Sequence, residues 1–133
     1  MAFTAIATKV YKDPVTTVWA NSLKGNDDLL YTGIAKAWVV FDGSAAAMSA
    51  MGSFNVASIA DSGAGIYRIN FTTGFATTAI IPIAIGDASQ TKMTIGVDVS
   101  ATLQTASVRL LSTNGGGTAA DSWVFAAFFG GLN

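Results

Sequence analysis

The chain has 133 residues, 51% of them hydrophobic and only 11% charged, with a net charge of −1. It contains no cysteine, which excludes disulfides, thiolate metal sites and cysteine nucleophiles, and leaves the redox compartment open. With no histidine or glutamate either, the eight acidic residues are all aspartates, so most general acid–base pairs, the serine–histidine–aspartate arrangement and the usual zinc ligands cannot be assembled.

Taken in chain order, residues 1–33 differ from the rest. Asp13-Pro14 starts a helix, with Asp as N-cap and Pro at the first helical position. Val15, Val18, Trp19, Ser22 and Leu23 then recur at helical spacing and form one narrow apolar face. Gly25, Asn26, Asp27 and Asp28 end or kink this helix. Such an arm packs on its own domain, or docks on partner chains and anchors the protein to something larger.

From Ala35 the punctuation is that of a β protein. Strands are predicted at 35–42, 53–60, 65–72, 79–85, 92–99, 105–111 and 122–129. Between them lie turn signals at Asp42-Gly43, Asp61-Ser62-Gly63, Thr73-Gly74, Gly86-Asp87, Asn114 to Gly117 and Asp121-Ser122. About seven short strands at this spacing predict an antiparallel β-sandwich over residues 34–133, preceded by the arm over 1–33. Pro82 demotes its strand to an edge or marks a bulge. The strand 122–129 is apolar on both faces, with Trp123, Phe125, Ala127 and Phe129 on one and Val124, Ala126 and Phe128 on the other. Something must therefore cover its second face.

An ordinary soluble domain carries roughly 25% charged residues. A chain with so few is expected to bury surface against copies of itself, because interface cores are depleted of charge. The arm residues Val15, Val18, Trp19 and Leu23 and the strand residues Phe125, Phe128 and Phe129 are the candidate oligomer or attachment contacts. Seven basic residues spread along the chain give no footprint for nucleic acid. The longest apolar stretch, 74–86, is too short for a membrane helix and is interrupted by Pro82. The N-terminus has no secretion signal of the basic-then-apolar kind, which implies assembly in a cytoplasm.

A few motifs bear on chemistry. Asp61-Ser62-Gly63 followed by Ala64 has the local pattern of an aspartic protease, in which two such loops share one proton; the commoner origin is a hairpin turn. The Gly115–Gly117 run lacks the Lys-Ser/Thr of a phosphate loop and opens onto a strand. Clustered aspartates can bind calcium, but no spacing here matches a known loop. Asn70-Phe71-Thr72 is formally a glycosylation sequon but falls within a predicted strand. The expectation is a protein without catalytic, cofactor or metal residues.

The stretches AKAWVVFDGSAA, SFNVASIADSGAGIYRINFTT and SVRLLSTNGGGTAADSWVFAAFFG resemble a module of bacteriophage and prophage tail-fibre, spike and other virion structural proteins. The matching elements are Lys36 to Gly43, Ser53 to Val56, Gly65 to Thr73, Val108-Arg109 and Ala119 to Ser122, over about three-quarters of the chain. The resemblance implies a trimeric β-sandwich on a virion, attached to capsid or tail proteins through its N-terminal arm. Only about 33 residues precede the module, which favours a head-decoration, head-fibre or short-spike protein over a long tail fibre. The final strand is more aromatic than that of the module. The alternative is a receptor-binding module for a host-surface glycan or protein, with Tyr67, Arg68, Asn114 and Trp123 as contact candidates.

Overall fold

The structure, a computed structural model, describes residues 33–88 and 91–133. The chain divides into two units, Met1–Ile34 and Ala35–Asn133. The predicted helix with Val15, Val18, Trp19 and Leu23 lies outside the described residues.

The second unit is built from the strands β1 (Ala37–Asp42), β2 (Ala50–Phe54), β3 (Val56–Asp61), β4 (Ile66–Phe71), β5 (Ile81–Ala88), β6 (Thr91–Lys92), β7 (Thr94–Val97), β8 (Ser107–Thr113) and β9 (Trp123–Phe129). Every pairing among them is antiparallel. One sheet has the order β2-β1-β9-β5-β6 and the other β3-β4-β8-β7. Each sheet holds four strands of four residues or more, and the two-residue β6 extends the first. The mainly β, antiparallel expectation is met, with two of the predicted strands each divided in two.

The division of 53–60 has a specific cause. Asn55 adopts φ 55°, the left-handed region that asparagine tolerates better than most residues. Its side-chain amide donates to the carbonyls of Lys36 and Thr73, each at 3.0 Å, and its Oδ1 accepts from the Thr73 N–H at 2.7 Å. The run therefore leaves the first sheet at Phe54 and enters the second at Val56. The segment 92–99 likewise breaks at Met93, with β6 in one sheet and β7 in the other.

Period-2 alternation puts one side of each sheet into a shared core. Ala37, Val39 and Phe41 of β1 and Val124, Ala126 and Phe128 of β9 are buried in it from one sheet. From the other come Tyr67, Ile69 and Phe71 of β4 and Val108 and Leu110 of β8. Ring contacts tie the two layers. Phe41 meets Tyr67 edge-on at 5.1 Å, and Phe71 meets Phe128 at 5.1 Å and Phe75 at 4.9 Å. Phe128 is thus a core residue and not a contact for another chain; it lies on the opposite face of β9 from Phe125 and Phe129. Among the described strands, Pro82 falls where β5 pairs with β9 alone, an edge position that fits a residue without an N–H donor.

Candidate interaction surface

The outer face of the five-stranded sheet is apolar across four adjacent strands. Strand β9 contributes Trp123, Phe125, Ala127 and Phe129, and β1 contributes Trp38 and Val40. In register with these, β2 places Phe54 opposite Trp38, and Gly52 opposite Val40. A side chain at Gly52 would come within 3.2 Å of the Trp38 indole, so the glycine leaves room for that ring to lie across the strand. Strand β5 adds Ile81, Ile83 and Ile85. Trp38, Phe54, Ile81, Ile83, Ile85, Trp123 and Phe125 are between 37% and 66% exposed. A shallow groove of about 310 Å³ runs between β1, β9 and β5, floored by Val40 and Ala127 and walled by Trp38, Ile83, Ile85 and Phe125.

Strand β5 is built inside out. Its large side chains, Ile81, Ile83 and Ile85, face away from the core, and its small ones, Pro82, Ala84 and Gly86, face inward. At Gly86 the inward side is crowded, since a Cβ there would sit 2.8 Å from Cδ1 of Ile95 on β7 and 3.1 Å from Oγ of Ser122. At one end of the face the apolar band gives way to acid. Asp42 on β1 and Asp87 on β5 both lie in register with Trp123. The Asp42 carboxylate accepts from the Ser44 hydroxyl and N–H, which hold it below its ordinary value of 3.8.

Behind this face, a polar clasp fixes the start of β9. The Ser122 N–H donates to Oη of Tyr67 at 3.0 Å, and the Tyr67 hydroxyl donates to Asp121 Oδ1 at 3.4 Å. The same carboxylate oxygen accepts from the Gly65 N–H at 2.7 Å. Gly43 donates to the Ser122 carbonyl at 2.9 Å and passes so close to Tyr67 that a Cβ would stand 2.3 Å from its hydroxyl oxygen. Gly65 sits at φ +68° and is equally hemmed in, with Ser112 O 2.5 Å from a Cβ position. Burial raises the Tyr67 phenol above its ordinary value of 10.0 and keeps it neutral, the Ser122 N–H opposing that shift in part. Among the four residues named for receptor contact, Tyr67 is therefore unavailable, being wholly buried, whereas Arg68 and Asn114 are half-buried and Trp123 is exposed.

The other motifs resolve as two turns and a strand. Asp61 accepts from the Gly63 N–H at 2.9 Å in the exposed hairpin between β3 and β4. Asn114 Oδ1 accepts from the Gly116 and Thr118 N–H groups, both at 3.0 Å. Asn70 lies on β4 with its amide bonded to the Ser58 hydroxyl at 2.9 Å.

Of the contacts predicted on β9, Phe125 lies in the outer face and Phe129 at its half-buried end, while Phe128 is in the core. The face also contains Trp38, Phe54, Ile81, Ile83 and Ile85, which the sequence does not single out. The alternation of 81–86 is visible in the sequence, but which side of it faces the core is not. Comparison with protein-family models, with curated proteins and with solved structures finds no match for this chain.

Proposed function

We propose that the chain is a non-catalytic structural protein of a bacteriophage particle, a trimeric β-sandwich that acts as a decoration, head-fibre or short-spike protein and attaches through residues 1–33. The observation that carries this reading is the apolar outer face of the five-stranded sheet, an expanse of surface suited to a subunit of an assembly.

The segments that resemble the virion module support it from another side. Each holds a structural post in the fold: Lys36 to Gly43 forms β1 and its turn, and Asn55 redirects the chain between sheets. Tyr67, Asp121 and Ser122 form the clasp. The resemblance thus falls on residues that specify this architecture.

Gold-antibody labelling of particles released by the strain that encodes the chain tests the proposal. Label over heads is the expected result; label confined to the tail tip would make the receptor-binding reading the better one. Particles free of label would overturn both.

A further inference from the structure

We propose that the outer face of the five-stranded sheet is where a second copy of this chain seats. The inference rests on the oligomeric reading and names the surface that reading requires.

The exposed area is large. Seven aromatic and aliphatic side chains that are each 37% to 66% exposed present roughly 550–900 Å² of apolar surface, taking roughly 150–250 Å² for each whole side chain. The largest apolar patch on an ordinary monomer is roughly 300–600 Å², and one partner in a stable complex buries about 800 Å². The face therefore stands at or above the top of the range a monomer ordinarily leaves bare and spans what one side of a lasting interface needs.

The orientation of β5 points the same way. Burial of apolar area, taken alone, favours the reverse arrangement, with isoleucine inward and alanine, glycine and proline outward. Ile81, Ile83 and Ile85 remain in water unless another surface meets them. The occupant must be flat and free of charge over the centre of the band, because the described residues place no charged side chain there to partner one. A copy of this chain brings such a surface: only 11% of its residues are charged, and its own outer face is apolar. Asp42 and Asp87 lie at the end of the band, where a polar rim belongs.

Sedimentation velocity and light scattering on the full chain over a wide concentration range test this, with Ile83→Lys and Phe125→Lys as disrupting variants. Asn70→Lys, on the outer face of the other sheet, is the control. Burial of the part of one such side chain that is still exposed corresponds to about a 10-fold change in dissociation constant. Each disrupting variant is expected to weaken association by at least that factor while the control keeps the wild-type mass. Hydrogen exchange of the unmodified protein gives a readout independent of any variant. Protection of β5 and β9 that rises with protein concentration supports the inference. A wild-type monomer at every concentration overturns it, and so does an oligomer whose mass both lysine variants leave unchanged. Protection of the face that ignores concentration would assign the covering to residues 1–34 of the same chain and overturn it as well. Particle labelling reads the virion assignment separately, so labelled particles with unaltered mass in the variants would remove this inference and leave that assignment standing.

Discussion

The two sheets share a core but turn very different outer faces to solvent. On the four-stranded sheet, β3 and β4 present Ser58, Ala60, Arg68 and Asn70, while β7 and β8 present Thr94, Gly96, Arg109 and Thr113. Ile66 and Leu111 are aliphatic exceptions, half-buried and set directly opposite each other. The charges of this sheet are handled locally: Arg109 pairs with Asp98 at 2.9 Å, and Arg68 reaches Gln104 at 3.4 Å. The five-stranded sheet shows tryptophan, phenylalanine and isoleucine over the same kind of surface. An antiparallel sheet ordinarily has one face packed and one solvated, and the four-stranded sheet follows that rule. The exposed tryptophan, phenylalanine and isoleucine side chains of the β unit are therefore not spread evenly but concentrated on the outer face of the five-stranded sheet.

The sharpest test of this contrast lies within one strand. Phe128 and Phe125 are three residues apart on β9 and face opposite ways. Phe128→Ala is expected to cost about 3–5 kcal/mol of folding stability through the cavity left against Phe71. Phe125→Ala in dilute solution is expected to cost less than about 1 kcal/mol, since its side chain is already in contact with water. Urea unfolding of both variants checks this, and equal losses would erase the distinction between the two faces.

Acid probes the polar side more gently. Ser100 donates from its hydroxyl and N–H to Asp98, and Arg109 lies beside the same carboxylate; together they hold it below its ordinary value of 3.8. A carboxyl with a depressed folded value contributes stability that is present above the unfolded value of about 3.9 and lost as pH falls through the folded one. Asp42 behaves in the same sense. The melting temperature should therefore hold on acidification to about pH 4 and fall below it. Asp98→Asn should flatten part of that fall, and an unchanged profile would show that Asp98 contributes nothing to it.

The smallest effect is expected at Arg68, which lies directly across the β4–β8 ladder from Arg109. Like charges in that position repel, so Arg68→Thr should be neutral or stabilising by a few tenths of a kcal/mol. A measured loss above about 1 kcal/mol would mean that the Gln104 contact outweighs the repulsion.

Much of this architecture is legible in the sequence because its signals are local. The turn aspartates and glycines, the alternation of β4 and β9 and the edge position of Pro82 all follow from neighbouring residues. The parts that escape a reading of the sequence depend on distant residues. SFNVASIA contains no glycine or proline, and Asn55 breaks it only because Lys36 and Thr73, 19 and 18 residues away, satisfy its amide. Tyr67 looks like a ligand contact until the fold brings Ser122 and Asp121 to its hydroxyl. The outer face is half visible: the doubly apolar β9 flags Phe125, but nothing flags the isoleucines of β5, because an alternating strand does not say which side is inward. Grouping Phe128 with Phe125 ignores the alternation of the strand itself.

The position of β9 also bears on the order in which the protein is made. It is the last of the described strands, yet it lies in the middle of its sheet and joins β1 to β5. Domains emerge from the ribosome N-terminus first, at about 5–20 residues per second, so β1 and β5 leave well before the strand that unites them. Among the described strands, β1 can pair only with β2 until Trp123 to Phe129 follow, and the inner edge of β5 has no neighbour. Ordering by such sequence-distant pairing is slow, and in that interval the isoleucine-rich β5 is an open strand exposed to any other nascent chain.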